Sequence, residues 1–395
     1  MLENIAKFCL ILSCVFGLEK VHATELFPFF IPRQDGSILE GYFSPPDTSS
    51  SPIVFAIQGS SCKSAYQWHM DLCNQAHSLG MGLIVLEKQG ISKESVNLLE
   101  YSQTNCLQKR LEDYVFCLEN MDAISPGWNG KAIFWGESEG GMLAASLADQ
   151  RPETAAVLLF ATGGGMKPRE EVKWVLRHRL EEHGALPDEV DQYMDFLDRQ
   201  MDEMILEPTP NKQFLGNTYK WWGSLLAADE VLTSLNRFSF PIFLVHGVED
   251  REIPVLSADL AAEILKKTGA LTYLRLEGYG HELDHINIQA AAYQWLRSIL
   301  FGQGQPDNSS IAAEPSSLTA PSADWKRDIL HYVFNRGGGE VSASVEAGGD
   351  TDGNTYASGS VGVSSETDGG MHLEVHAELS VEQDCKRPTP TWSGR

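Results

Sequence analysis

The sequence predicts an α/β protein: a mostly parallel sheet with helices on both faces, a helical cap insertion and a small C-terminal β region. Three observations predict it. Short apolar runs alternate with amphipathic helical stretches from about residue 27 to 300. One segment, 167–228, replaces that alternation with helical stretches alone. After residue 301 the composition shifts to Gly, Gln, Pro, Ser and Ala, and then to alternating small and apolar residues.

The runs 52–57, 82–86, 132–135, 156–160, 242–245 and 272–276 are short and dominated by Ile, Val, Leu, Phe and Ala. Strands buried on both faces read this way, because neither side of such a sheet meets water. Helical stretches at 65–79, 105–124, 142–150, 255–268 and 287–300 separate most of them; Leu107, Leu111, Tyr114, Leu118 and Met121 show the spacing. Strand, crossover helix and strand in succession give parallel pairing. Ahead of these, 29–31 and 37–43 flank Asp35-Gly36 and predict an antiparallel edge pair. Within 167–228, helices are expected at 170–183, 187–206 and 211–227, forming a cap over the sheet end where ligands bind. Trp174, Tyr219, Trp221 and Trp222 either line its underside or pack inside it.

Residues 1–23 read as a signal peptide. Lys7 precedes the apolar stretch 8–18, and Val21-His22-Ala23 places small residues for cleavage after Ala23. Glu19 and Lys20 interrupt too early for a membrane anchor, which needs about 20 apolar residues. The expected product is exported, periplasmic or extracellular, without an integral membrane segment; a lipoprotein cut before Cys14 is the lesser alternative. The main domain then spans 24–301, a flexible linker 302–322, and a C-terminal region 323–395. That region is expected to hold a helix at 324–334 and strands at 341–345, 356–363 and 371–381, a thin meander that binds a partner or is partly disordered. Asp350, Asp352 and Asn354 suggest a calcium loop, but Val361 stands where its twelfth-position Glu is needed, so they read as a solvated turn.

With 54 acidic residues against 30 Lys and Arg, the net charge is -24 and the chain repels a phosphate backbone. Nucleic acid is excluded as a partner on that ground. In an exported chain, Cys62, Cys73, Cys106, Cys117 and Cys385 can pair. Cys106 and Cys117 on one helix would lie roughly 16 Å apart, too far for a bridge. A Cys62–Cys106 disulfide is favoured instead, since both are expected at one end of the sheet. None of the cysteines has metal-ligand spacing.

Gly136-Glu137-Ser138-Glu139-Gly140 follows the run 132–135 and precedes a helix. A G-x-S-x-G in that setting is a nucleophile elbow, a sharp turn that exposes the serine at the top of the sheet. His246-Gly247-Val248-Glu249-Asp250 follows the run 242–245, and Gly278-Tyr279-Gly280-His281 follows 272–276, so Asp250 and His281 are expected at the same sheet end as Ser138. His285 is a weaker candidate base, Glu249 and Glu252 weaker candidates for the acid, and His246 reads as packing.

On the elbow, the H-G-x-x-D-x-x-I-P pattern and the G-x-G-H pattern, residues 27–300 resemble the α/β-hydrolase family. The resemblance implies Ser138 as nucleophile, His281 as general base and Asp250 as its orienting acid. It places Gln58-Gly59-Ser60-Ser61 in the oxyanion loop, with Gln58 where the family has His, and so implies the backbone N–H groups of Ser60 and Glu139 as oxyanion donors. Each such donor contributes about 3 kcal/mol. The expected enzyme needs no cofactor or metal and cleaves a small-molecule carboxylic ester first, a short peptide second, as carboxylesterases and prolyl aminopeptidase-like enzymes of the family do. Glu137, Glu139, Glu170, Glu171, Glu181 and Glu182 read as a solvated face rather than a receptor for a substrate amine. The rival expectation is a binding protein that keeps the fold as a scaffold, with 337–382 as its adhesive part.

Overall fold

In the computed structural model the described residues are 26–302, except 69, 284 and 285, and three C-terminal strands. Eight strands form one sheet in the order β1-β2-β4-β3-β5-β6-β9-β10. They are β1 (Phe27–Pro32), β2 (Ile38–Ser44), β3 (Ile53–Ile57), β4 (Gly82–Leu86), β5 (Ala132–Glu137), β6 (Thr154–Phe160), β9 (Ile242–Gly247) and β10 (Leu271–Leu276). From β4 to β10 every pairing is parallel, while β1 and β2 add an antiparallel edge. All five residues of β3 and all six of β9 are buried, as the unbroken apolar runs require. The turn into β2 is set by Gly36, whose φ is 88°, and by Asp35, whose Oδ1 accepts from Ser37 N–H at 2.9 Å.

Helices cover both faces. The stretch expected at 65–79 holds Ala65–Trp68 and α1 (Met70–Ser78); then come α2 (Leu98–Thr104), α3 (Leu107–Glu119), α4 (Glu139–Gln150), α5 (Pro168–Glu182), α6 (Pro187–Leu206), α7 (Tyr219–Leu226), α8 (Val255–Leu265) and α9 (Ile286–Phe301). Strand side chains alternate between two cores: Phe55 and Phe134 pack with α3, α4 and α8, whereas Val54 and Trp135 pack with α1 and α9. The cap has a third core of its own, including Leu197, Met201 and Trp222. Tyr219, Trp221 and Trp222 are buried, so packing inside the cap describes them better than lining its underside. No helix among the described residues is long and apolar enough to cross a membrane.

Three expectations need correction. The cap is not all helical: β7 (Gln213–Phe214) and β8 (Asn217–Thr218) form a hairpin where helix was expected from 211. Its turn residues Leu215 and Gly216 both have positive φ, 45° and 80°, the geometry of a tight two-residue hairpin loop. Helix α2 was not anticipated; Asn97 caps it, its side chain accepting from Glu100 N–H at 3.2 Å. Cys106 is a free thiol, so the expected Cys62–Cys106 bridge is not formed. Rather than lying inside a helix, Cys106 is the extended N-cap between α2 and α3, where the next N–H, that of Leu107, is taken by Ser224 Oγ of the cap.

In the C-terminal region, Val341–Gly349, Thr355–Glu366 and His372–Val381 pair antiparallel in sequence order, the meander expected there. The signal peptide with Cys14, the linker beyond residue 302, the helix expected at 324–334, the turn with Asp350, Asp352 and Asn354, and Cys385 lie outside the described residues.

Candidate active site

Ser138 stands between β5 and α4 with φ 52° and ψ -124°, a conformation that costs a side-chain-bearing residue energy and persists only where the surroundings enforce it. They do so by close approach. A Cβ at Gly136 would lie 2.2 Å from the Gly140 carbonyl oxygen, and one at Gly140 would lie 2.0 Å from that of Ile57. The two glycines let the turn fold back on itself and press against β3, and Ser138 N–H is held by the Phe160 carbonyl at 2.8 Å. The hydroxyl is thereby presented at the carboxyl end of the sheet.

The loops after β9 and β10 meet it there. Ser138 Oγ–H donates to His281 Nε2 at 3.0 Å, and His281 Nδ1–H donates to Asp250 Oδ2 at 2.8 Å. The acceptor-only carboxylate fixes which imidazole nitrogen carries the hydrogen. Asp250 Oδ1 accepts from the N–H groups of Glu252 and Ile253 at 2.8 and 2.9 Å. Burial alone would raise the Asp250 pKa, but the bonds from His246 and His281 outweigh it and hold the carboxyl well below its usual range. For His281, burial lowers the pKa while the bond to Asp250 and its charge raise it more, so the net shift is upward.

His246 does more than pack. It is fully buried, and Nε2–H is shared between Asp250 Oδ2 at 3.2 Å and the Ile253 carbonyl at 3.1 Å. It therefore braces the same carboxylate oxygen that His281 binds, a role that nothing in its sequence position distinguishes from packing. Glu252 points away, to Arg179 at 3.2 Å. His285 lies outside the described residues.

The loop Gln58-Gly59-Ser60-Ser61 lies against the Ser138 side chain: a Cβ at Gly59 would be 3.3 Å from that of Ser138. The backbone N–H groups of Ser60 and Glu139 meet no acceptor among the described residues. The acidic residues thought to be a solvated face are divided. Glu170, Glu181 and Glu182 conform, but Glu139 and Glu171 are buried. Glu139 accepts from Arg110 and, at 2.7 Å, from Trp221 Nε1–H of the cap. Glu171 accepts from Ser257 Oγ–H and, at 3.0 Å, from Gly164 N–H. Both are already committed to partners. Among the described residues no cluster of His, Cys, Asp and Glu could hold a metal ion.

A family model described as serine aminopeptidase, S33 matches residues 65–285, more than half of the chain and a span that contains Ser138, Asp250 and His281. No curated protein matches in sequence. Among solved structures, the chain is similar to a Pyrococcus furiosus esterase, at 14% identity over 73% of this chain and 95% of that one with TM-score 0.49. A thermostable carboxyl esterase from Bacillus coagulans matches at 15% identity over 70% and 98%, TM-score 0.49. An acylaminoacyl peptidase from Pyrococcus horikoshii matches at 13% identity over 73% of this chain but 44% of its own length, TM-score 0.47.

Gly140→Ala offers a direct check on the elbow. Backbone meets backbone there, so neither side can yield, and the variant is expected to lose about 3 kcal/mol or more in urea unfolding. Gly184→Ala, with φ 79° but nothing within 4 Å, is expected to lose about 1 kcal/mol. Equal losses would mean that the close approach at Gly140 is unimportant.

Proposed function

The chain belongs to the serine aminopeptidase S33 family of α/β-hydrolases, and from that premise we propose that it is an exported serine hydrolase that cleaves a small carboxylic ester through an acyl-enzyme. The observation that carries this reading is the unbroken hydrogen-bond line from Ser138 through His281 to Asp250.

In the proposed reaction Ser138 Oγ attacks the substrate carbonyl carbon while His281 Nε2 takes the hydroxyl proton. Asp250 holds the imidazole in place and stabilises the imidazolium without accepting its proton. Negative charge collects on the former carbonyl oxygen, where the N–H groups of Ser60 and Glu139 receive it. Collapse expels the alcohol, protonated by His281, and leaves the acyl group on Ser138. Water then repeats the sequence and frees the acid.

An ester is preferred over an aminoacyl peptide because of what the acids do. A free α-amine needs an available carboxylate, and the two buried candidates near the site, Glu139 and Glu171, are already held by Arg110 and Trp221 and by Ser257 and Gly164. Export rests on the composition of residues 1–23. N-terminal sequencing of the protein released from expressing cells is expected to begin at Thr24; retention of Met1 would remove the export proposal.

A fluorophosphonate probe is expected to label the wild-type protein but not Ser138→Ala, and that variant should lose about 10⁴-fold or more in turnover. No labelling of the wild type would favour a non-catalytic scaffold. On p-nitrophenyl acyl esters kcat/KM should exceed that on aminoacyl p-nitroanilides, and the reverse order would make the enzyme a peptidase. The base must be neutral to act, so activity should rise with pH as His281 loses its proton. Because the His281 pKa is raised, the midpoint of that limb in kcat/KM should lie above about 6.5, the ordinary imidazole value. A midpoint below it would separate His281 from the rate.

A further inference from the structure

Beneath the loop Gln58-Gly59-Ser60-Ser61 lie two basic side chains that the reaction above does not use. Lys88 follows β4 and Arg110 belongs to α3; each is 5% exposed. A buried lysine and a buried arginine are costly to desolvate, and their hydrogen bonds show what they hold. Lys88 Nζ donates to the carbonyls of Gly59, at 2.6 Å, and Ser61. Arg110 donates to the carbonyls of Gln58 and, at 3.3 Å, Gly59. The carbonyl between them, that of Ser60, accepts from Tyr101 Oη–H at 3.0 Å, and Tyr101 is itself held by Asn105 at 2.9 Å. Four successive carbonyls are thus drawn to buried donors.

A peptide unit is planar and trans, so fixing the direction of its C=O fixes its N–H in the opposite direction. The carbonyl of Gly59 and the N–H of Ser60 belong to one such unit. Anchoring the Gly59 oxygen on Lys88 and Arg110 aims the Ser60 N–H away from them. Donation to that oxygen also polarises the amide and makes its N–H a stronger donor. Arg110 reaches the other donor segment too, because its guanidinium binds the side chain of Glu139, whose N–H opens α4 beside Ser138. One side chain ties together the two segments that carry the free N–H groups.

We propose that Lys88 and Arg110 are positioning residues of the oxyanion hole, setting the direction and donor strength of the Ser60 N–H through the Gly59 carbonyl. The inference rests on the acyl-enzyme reading. It deepens that reading by assigning transition-state stabilisation to two groups that never touch substrate. Burial and the neighbouring Arg110 lower the Lys88 pKa while Glu139 and Glu87 oppose them, but an amine donates to both carbonyls in either protonation state.

The test pairs turnover with an analogue of the tetrahedral state, using the full chain. A trifluoromethyl ketone forms a bond between its carbonyl carbon and Ser138 Oγ, passes the hydroxyl proton to His281 and places its oxyanion where the ester's would be. In Lys88→Met, kcat per active site on p-nitrophenyl butyrate, with sites counted by fluorophosphonate, is expected to fall about ten- to a hundredfold with KM little moved. The ketone should bind more weakly by the same factor as kcat/KM falls, as it must if the lost interaction exists only in the transition state. Lys88→Gln keeps a donor nitrogen on a shorter side chain and should lie between the parent and Lys88→Met. Unchanged kcat per site, or ketone affinity equal to that of the parent in a folded variant, overturns the proposal, since a merely structural lysine would alter only the number of sites or the melting temperature. Should Lys88→Met not fold, the same comparison on Lys88→Gln decides. A wild type that neither turns over ester nor takes the probe overturns the acyl-enzyme reading itself, and this inference with it.

Discussion

The architecture of this site depends on one backbone contact: the turn at Ser138 pressed against β3 with no side chain between them. A Cβ at Gly140 would sit 2.0 Å from the Ile57 carbonyl oxygen. That proximity holds Ser138 at positive φ, brings the first turn of α4 over the end of β3, and sets the loop after β3 directly against the Ser138 side chain. The hydroxyl, the N–H of Glu139 and the N–H of Ser60 are positioned together as a result. Parallel strands add the rest, because β5, β9 and β10 all deliver their carboxyl ends, and hence Ser138, Asp250 and His281, to one edge.

Much of this was legible in the sequence for a simple reason. The informative features are local: an unbroken apolar run, then a turn with glycine, then a reactive side chain. Ile242 to Gly247 followed by Asp250 can be read without knowing what lies beside it. The same holds for the Ser138 turn, and the hydrogen-bonded line among the three side chains is a consequence of topology that the alternation already implied. The antiparallel edge and the C-terminal meander were legible too, through period-two alternation and turn residues.

What escaped was non-local or ran against the usual behaviour of a residue type. Charged side chains are rarely buried, so Lys88, Arg110, Glu139 and Glu171 gave no sign of lying in the interior. His246 was indistinguishable from a packing residue because its value lies in a bond to Asp250 four positions on, visible only once the loop is closed. The hairpin at Gln213 to Thr218 is too short for any periodicity, and Cys106 was assigned to a helix that begins one residue later.

The buried charges explain how the cap and the sheet are joined. The apolar core of the cap is separate from the two cores of the sheet, so little hydrophobic packing fastens one to the other. The connections are polar and directional instead. Trp221 reaches Glu139, Ser224 takes the first N–H of α3, Lys220 reaches the Gln103 carbonyl at 2.7 Å, and Glu171 binds Ser257. Hydrogen bonds of this kind fix orientation as well as adding stability, on the order of 1–3 kcal/mol net each, the upper part of that range applying where one partner is charged. The bond from Trp221 ends on the carboxylate that Arg110 also holds, so the seating of the cap and the anchoring of the loop after β3 meet at one side chain. A shift of the cap that broke it would leave a buried carboxylate under-bonded next to Ser138, which makes Glu139 the point where the seating of the cap and the geometry around Ser138 are coupled.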